Sequence, residues 1–219
     1  MPADSLLASA WTLETAKAYE TILALAAANG ARDAAAFEQE MDQTLGFKVK
    51  EDLLAALGKT WTFHMAVADG WLTGITFTAE VRDRAKLVAA QEKLLAAMER
   101  DEGRSEFSPH VRKVMFGEQE IHLLEFRGSF FPVQPSWCIT KDKLIVTLYP
   151  QAIKSVLSRP AKKRSLAEMP ELAPLLKPGN VIAFSDQDSQ RMFESFYPYV
   201  QMLVPMMLGD QAFVRGTAC

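Results

Sequence analysis

The side chains able to do chemistry in this chain are few and scattered. Gly58-Lys59-Thr60 has the composition of the end of a phosphate-binding loop, whose amides and lysine would cradle a nucleotide. That loop also needs a glycine five residues before the Gly-Lys pair, and Leu53 stands there. It must run from strand to helix, so that free helix N-terminal amides face the phosphate. Here a helical pattern precedes a strand pattern, so Gly58 reads as a helix C-terminal glycine that leads into a strand.

The histidines are His64, His110 and His122, and none stands at the spacing of a zinc pair or has a Cys-x-x-Cys to assist it. His64 falls on the less apolar face of a strand, His110 follows a proline in a loop, and His122 alternates with Leu124 and Phe126. In "SDQDSQ", Asp186, Asp188 and Gln190 have calcium-loop spacing, but the turn glycine is missing and Arg191 sits beside them. The same residues suit the cap and first turn of a helix. No Gly-x-Ser-x-Gly occurs, and Cys138 has no histidine partner in its local sequence. The acid pairs Glu118 with Glu120 and Asp101 with Glu102 fall in turns and helix ends, where charge serves solubility. No catalytic, cofactor-binding or metal-ligating residue is assigned, and no cofactor is expected. An enzyme would need a site gathered from distant residues such as His64, His122 and the acids.

Those residues must be held by a chain of 219 residues, 49% hydrophobic and 23% charged, which is ample for a buried core. A net charge of −3 gives no field to gather nucleic acid or an anionic bilayer. The cluster Arg159, Lys162, Lys163 and Arg164 in "RPAKKR" reads as a solvated linker, with a phosphate or nucleic-acid contact as the lesser alternative. The two cysteines, Cys138 and Cys219, allow one disulfide but imply no framework, so the redox compartment stays open. No secretory signal is visible, and the apolar run "FYPYVQMLVPMML" is too short for a membrane span and holds Pro198 and Pro205.

The first forty-five residues read as helix, with Trp11, Thr15, Ala18, Tyr19, Ile22, Leu23 and Ala26 at helical spacing. Asn29-Gly30 supplies a stop, Asp33 can cap a second helix ended by Gly46, and "KEDLLAALG" reads as a third. From Thr60 the period changes to two. "TWTFHMAV" and "LTGITFTAEV" form a hairpin with one apolar face, and Asp83 caps a helix carrying Leu87, Gln91, Leu94, Leu95 and Met98 on one stripe. "VRKVMF" and "EIHLLEF" flank Gly117-Glu118-Gln119 as a second hairpin; "SWCIT" and "LIVTLY" make a third, followed by a short helix opened by Pro150. A strand–strand–helix order thus occurs twice, at 60–101 and 136–158. "SLAEMPELAPLLKPGN" reads as a short helix and a turn, "VIAFS" as a last strand, and a long helix starts near Gln187. The aromatic and methionine stripe of that helix, Met192, Phe193, Phe196, Met202, Met206 and Met207, reads as core or, if exposed, as an interface or apolar-ligand groove.

The expected fold is α+β: an antiparallel sheet of six or seven strands built from hairpins, with helices mainly on one face. A helical N-terminal extension spans 1–45 and the α+β domain 46–219. "LGFKVKEDLLAALGKTWTFHMAV", "WCITKDKLIVTLYPQAIKSVLSRP" and "LKPGNVIAFSDQDSQRMFESFYPYV" resemble segments of the bacterial proteins grouped as domain of unknown function 3352. The resemblance covers roughly residues 45 to 205 and rests on structural motifs. It implies an envelope or periplasmic setting and a fragment of a longer protein, with no catalytic residues to carry over. The functional expectation is a non-catalytic binding or structural module, with a protein or apolar ligand engaged through the C-terminal helix. Carriage of an apolar ligand between sheet and helices is the alternative.

Overall fold

A computed structural model describes residues 1–28, 34–101, 109–126, 133–160, 165–170 and 183–208. Its centre is an antiparallel sheet of eight strands, in the α+β class that the hairpin pattern calls for. Hairpin β2 (Leu57–Ala66) with β3 (Thr76–Val81) forms as the alternation of Trp61, Phe63 and Met65 with Thr60, Thr62 and His64 requires. Strands β4 (Pro109–Phe116) and β5 (Gln119–Phe126) meet across Gly117-Glu118, and β6 (Ser136–Ile139) and β7 (Lys143–Thr147) across Thr140–Asp142.

The first correction concerns the N-terminus. Ser5–Thr12 is a strand, β1, and not part of a helix; α1 begins only at Thr15 and runs to Ala28. The Leu-Leu-Ala-Ser-Ala stretch favours helix by composition. It is held extended because β2 pairs on one side and β8 (Ala183–Gln187) on the other. Two ladders outweigh a weak local preference. The helical N-terminal extension is therefore reduced to α1 and α2 (Ala34–Leu45), and the sheet order is β4-β5-β6-β7-β3-β2-β1-β8.

Alternation along the strands builds two faces. Ala79, Ile139 and Leu144 pack with Leu87 from α3 (Arg84–Asp101), which starts where Asp83 Oδ1 accepts the Lys86 amide at 3.0 Å. Tyr19 of α1 and Met41 and Leu45 of α2 stack on α3 around Phe47, Val49 and Ala90. On the opposite face, Ile121, Leu123, Cys138 and Ile145 receive Ile153 of α4 (Pro150–Ser158), which has its proline in the first turn. The expectation of helices mainly on one face thus holds for α1–α3, while α4 covers the other. The two strand–strand–helix units send their helices to opposite faces of the sheet.

The long last helix, α5 (Ser189–Leu208), is capped by Asp188, whose Oδ1 accepts the Arg191 amide at 2.9 Å. Asp186 lies in β8 instead of the cap. No described helix is long and apolar enough to cross a membrane. The stop at Asn29-Gly30, the cap Asp33, Glu102, Lys162, Lys163, Arg164, Cys219 and "ELAPLLKPGNVI" lie outside the described residues, as do the side chains of Met202, Met206 and Met207.

Candidate functional site

Gly58-Lys59-Thr60 lies within β2, after a π-turn (Val49–Leu53) and a 3-10 turn (Leu54–Ala56) have already ended the helical segment. Gly58 is thus a strand residue and not the helix C-terminal glycine expected. The β2–β3 register shifts between Leu57 and Trp61, a local bulge. Across it the Glu80 carboxylate accepts the Thr60 amide at 3.2 Å, and a Cβ on Gly58 would meet the Glu80 side chain at 2.6 Å. Lys59 pairs with Glu14. The Thr60 amide that a phosphate would need is already taken.

The chemistry gathers elsewhere, at a cluster on the α4 face. Asp69 ends a 3-10 turn (Val67–Asp69), and its side chain is 0% exposed. Gly74 makes this possible, since a Cβ there would lie 2.7 Å from the Asp69 backbone carbon and oxygen. Arg159, just past α4, donates from Nη2 to both Asp69 oxygens, at 2.8 and 2.7 Å. Ser155, one turn earlier, donates its hydroxyl to Asp69 Oδ1. His64 Nε2 lies 3.4 Å from Asp69 Oδ2, within ion-pair reach, and neither ring nitrogen has a hydrogen bond among the described residues. Arg159 is therefore no solvated linker residue: its side chain is 18% exposed and neutralises a buried carboxylate.

Burial alone would raise the Asp69 pKa. The contacts from His64, Ser155 and Arg159, with the Arg159 charge, outweigh it and hold the carboxyl far below the usual range. Burial pushes His64 down more strongly than Asp69 lifts it, so its imidazole is neutral at pH 7. Serine, aspartate and histidine meet here in the wrong order for nucleophilic catalysis. Ser155 donates to Asp69 and not to His64, so no base faces its hydroxyl. A carboxylate clamped by arginine is also a poor base.

Beside this cluster lies a cavity of about 470 Å³, floored by Thr60, Thr62 and Thr78 and walled by His64, Glu80, Lys143 and Arg159. The Thr62 and Thr78 hydroxyl oxygens are 2.6 Å apart.

His122 sits on the other face. Its row across the sheet is Lys113, His122, Trp137, Val146, Phe77 and Phe63, whereas His64 shares a row with Thr76, Thr147, Ser136 and Leu123. The two histidines do not converge. His122 stacks on Trp137 with ring centroids 5.1 Å apart. Trp137 Nε1, a donor only, gives its proton to Gln91 Oε1 at 2.8 Å, so the Gln91 amide nitrogen, 3.1 Å away, donates to His122 Nε2. Glu120 Oε1 stands 3.0 Å from that same nitrogen. Burial lowers the His122 pKa against the pull of Glu120. His110 is in strand β4, opposite Glu125, and not in a loop. Cys138 is a free buried thiol whose pKa burial raises. Among the described residues no group of three or more His, Cys, Asp or Glu could hold a metal ion.

Among the described residues, large apolar side chains are exposed in several places, Ile22 and Leu25 on α1, Phe37 on α2 and Met115 on β4 among them. Phe77, paired with Phe63 at 4.8 Å, and Val146 are exposed on the α3 face. On α5, Phe193 is 66% and Tyr197 46% exposed, and Phe196 and Tyr199 are exposed beside them. Nothing in the sequence separated this exposed stripe from a core one, because the same spacing serves both. Asp69 and Ser155 escaped sequence reasoning, and Arg159 was read with its basic neighbours; the four-residue step from 155 to 159 and the glycines around Asp69 were the local signals. Comparison of the chain with protein-family models, curated proteins and solved structures gives no match.

Proposed function

We propose that the chain is a non-catalytic binding module of a larger bacterial envelope-associated protein, and that it engages a partner protein through α5. The observation that carries this reading is the exposed aromatic stripe of α5, Phe193, Phe196, Tyr197 and Tyr199. Phe193, 66% exposed, and Tyr197, 46% exposed, on a helix that touches the sheet at β1 are the kind of anchor a helix-in-groove interface uses. The envelope setting follows from the resemblance to domain of unknown function 3352.

The two other readings draw less support. A strongly apolar recess among the described residues, lined by Phe47, Leu94, Trp137 and Leu144, has about 190 Å³. Pockets for lipid-sized ligands run to roughly 300–1,000 Å³. For an enzyme, His64 and His122 lie on opposite faces, and Ser155 lacks a base. The test is site-specific crosslinking in a bacterial host, with a photoreactive residue at position 193 or 197 and, as control, at exposed Glu40. A discrete protein adduct from the α5 positions and none from Glu40 is expected. Identical adduct patterns from all three positions, or no adduct from any, would remove the reading.

A further inference from the structure

We propose that the cavity between β2, β3 and Arg159 is a binding site for a small oxyanion, the carboxylate or phosphate group of a polar metabolite. This site is separate from α5 and independent of the docking role proposed for that helix.

Several polar groups around the cavity are already committed. Glu80 accepts the Thr60 amide, and the one Thr140 hydroxyl proton is shared between the Lys143 carbonyl at 3.0 Å and Asp142 Oδ1 at 3.2 Å. Asp69 is neutralised by Arg159, which spends only Nη2 on it. The donors left over all line one cavity. Lys143 forms no ion pair among the described residues, and Arg159 keeps Nε and Nη1 without a hydrogen bond there. Thr62 and Thr78 share one proton between their oxygens, so a second hydroxyl proton is free to be donated.

The donors that face the cavity, Lys143, Arg159 and one threonine hydroxyl, have no partner for these protons among the described residues, which is the complement of an anion. The Glu80 and Asp142 carboxylates beside them favour a ligand whose body carries hydroxyl donors. A second observation points the same way. His64 lines the cavity with a side chain only 4% exposed, and neither ring nitrogen is hydrogen-bonded among the described residues. A buried polar group left unsatisfied at a cavity wall is costly, and a bound molecule or ordered water removes that cost. About 470 Å³ admits a molecule of several heavy atoms beyond the anion itself. The floor of three threonines suits a hydroxylated body better than a hydrocarbon one.

The experiment is a titration of the full chain followed by the imidazole resonances in a long-range proton–nitrogen NMR spectrum. Sodium phosphate and sodium acetate are the two probes, each added at constant ionic strength set with sodium chloride. His122, on the opposite face, is the internal control. At least one probe should shift the His64 signals saturably and leave His122 in place. Saturation with phosphate alone assigns a phosphate group, and saturation with acetate, alone or with phosphate, assigns a carboxylate-accepting site. Lys143→Gln, at an exposed position, should weaken the effective probe about fivefold, as loss of one solvent-accessible ionic contact does. Thr78→Val should weaken it as well, while thermal unfolding confirms that both variants fold. No saturable shift of His64 with either probe would overturn the proposal. So would parallel movement of His122, or an affinity unchanged in both variants.

Discussion

His64 and His122 are both buried in the sheet, both lie near a carboxylate, and both have pKa values lowered chiefly by burial. Their surroundings differ in the acid. Asp69 is sealed from solvent and held by Arg159 and Ser155, whereas the Glu120 side chain is 44% exposed and also reaches Lys113 at 3.4 Å. On the α4 face the charge is structural, because two elements far apart in sequence close around it. On the α3 face it is adjustable, because solvent screens Glu120 and a neutral Trp137–Gln91 chain orients the imidazole. A buried histidine beside an acid thus says little about function until the burial of the acid is known.

The largest effect should come from breaking the sealed pair. Arg159→Met leaves the Asp69 carboxylate buried without its cation, and we expect a loss of about 3–5 kcal/mol in urea unfolding. Asp69→Asn combined with Arg159→Met should cost clearly less than the sum of the two single changes. Strict additivity would show that the pair is not coupled.

An intermediate effect should appear on acidification. Both histidines have folded pKa values below their ordinary 6.5, so the unfolded chain takes up protons first. Their contribution is complete above about pH 6.5 and is lost as the pH falls from there through the folded values. Asp69, also lowered, adds a second loss below its ordinary 3.8. Chemical denaturation between pH 7.5 and 5 should therefore show stability falling with pH, by a slope that His64→Gln reduces. A flat profile in the parent chain would remove the distinction between neutral and charged imidazole.

The smallest effect belongs to the open face. Glu120→Gln disturbs an exposed ion pair and should change stability by no more than about 1 kcal/mol. A loss as large as that of Arg159→Met would mean that the two carboxylates are equivalent after all.

Much of the fold was legible locally. The hairpins declared themselves by alternation, α4 by Pro150 and its apolar stripe, and α3 by the Asp83 cap. What was not legible depends on distant partners. β1 is Leu- and Ala-rich and becomes a strand only because β2 and β8 bind both of its edges. Gly58 looked like a helix stop because the approach of Glu80 across a bulge has no local signature. The Asp69 cluster joins residues 86 and 90 positions apart, so no motif of fixed spacing contains it.

Phe193 and Tyr197 of α5 are exposed among the described residues, and on that exposure the account of function rests. Carbene footprinting of the free chain measures it directly. Phe193 and Tyr197 should label heavily, and Leu87 and Ile153, buried under α3 and α4, should be protected. Protection of Phe193 to the level of Leu87 would mean that the stripe belongs to the core, and would contradict a docking helix.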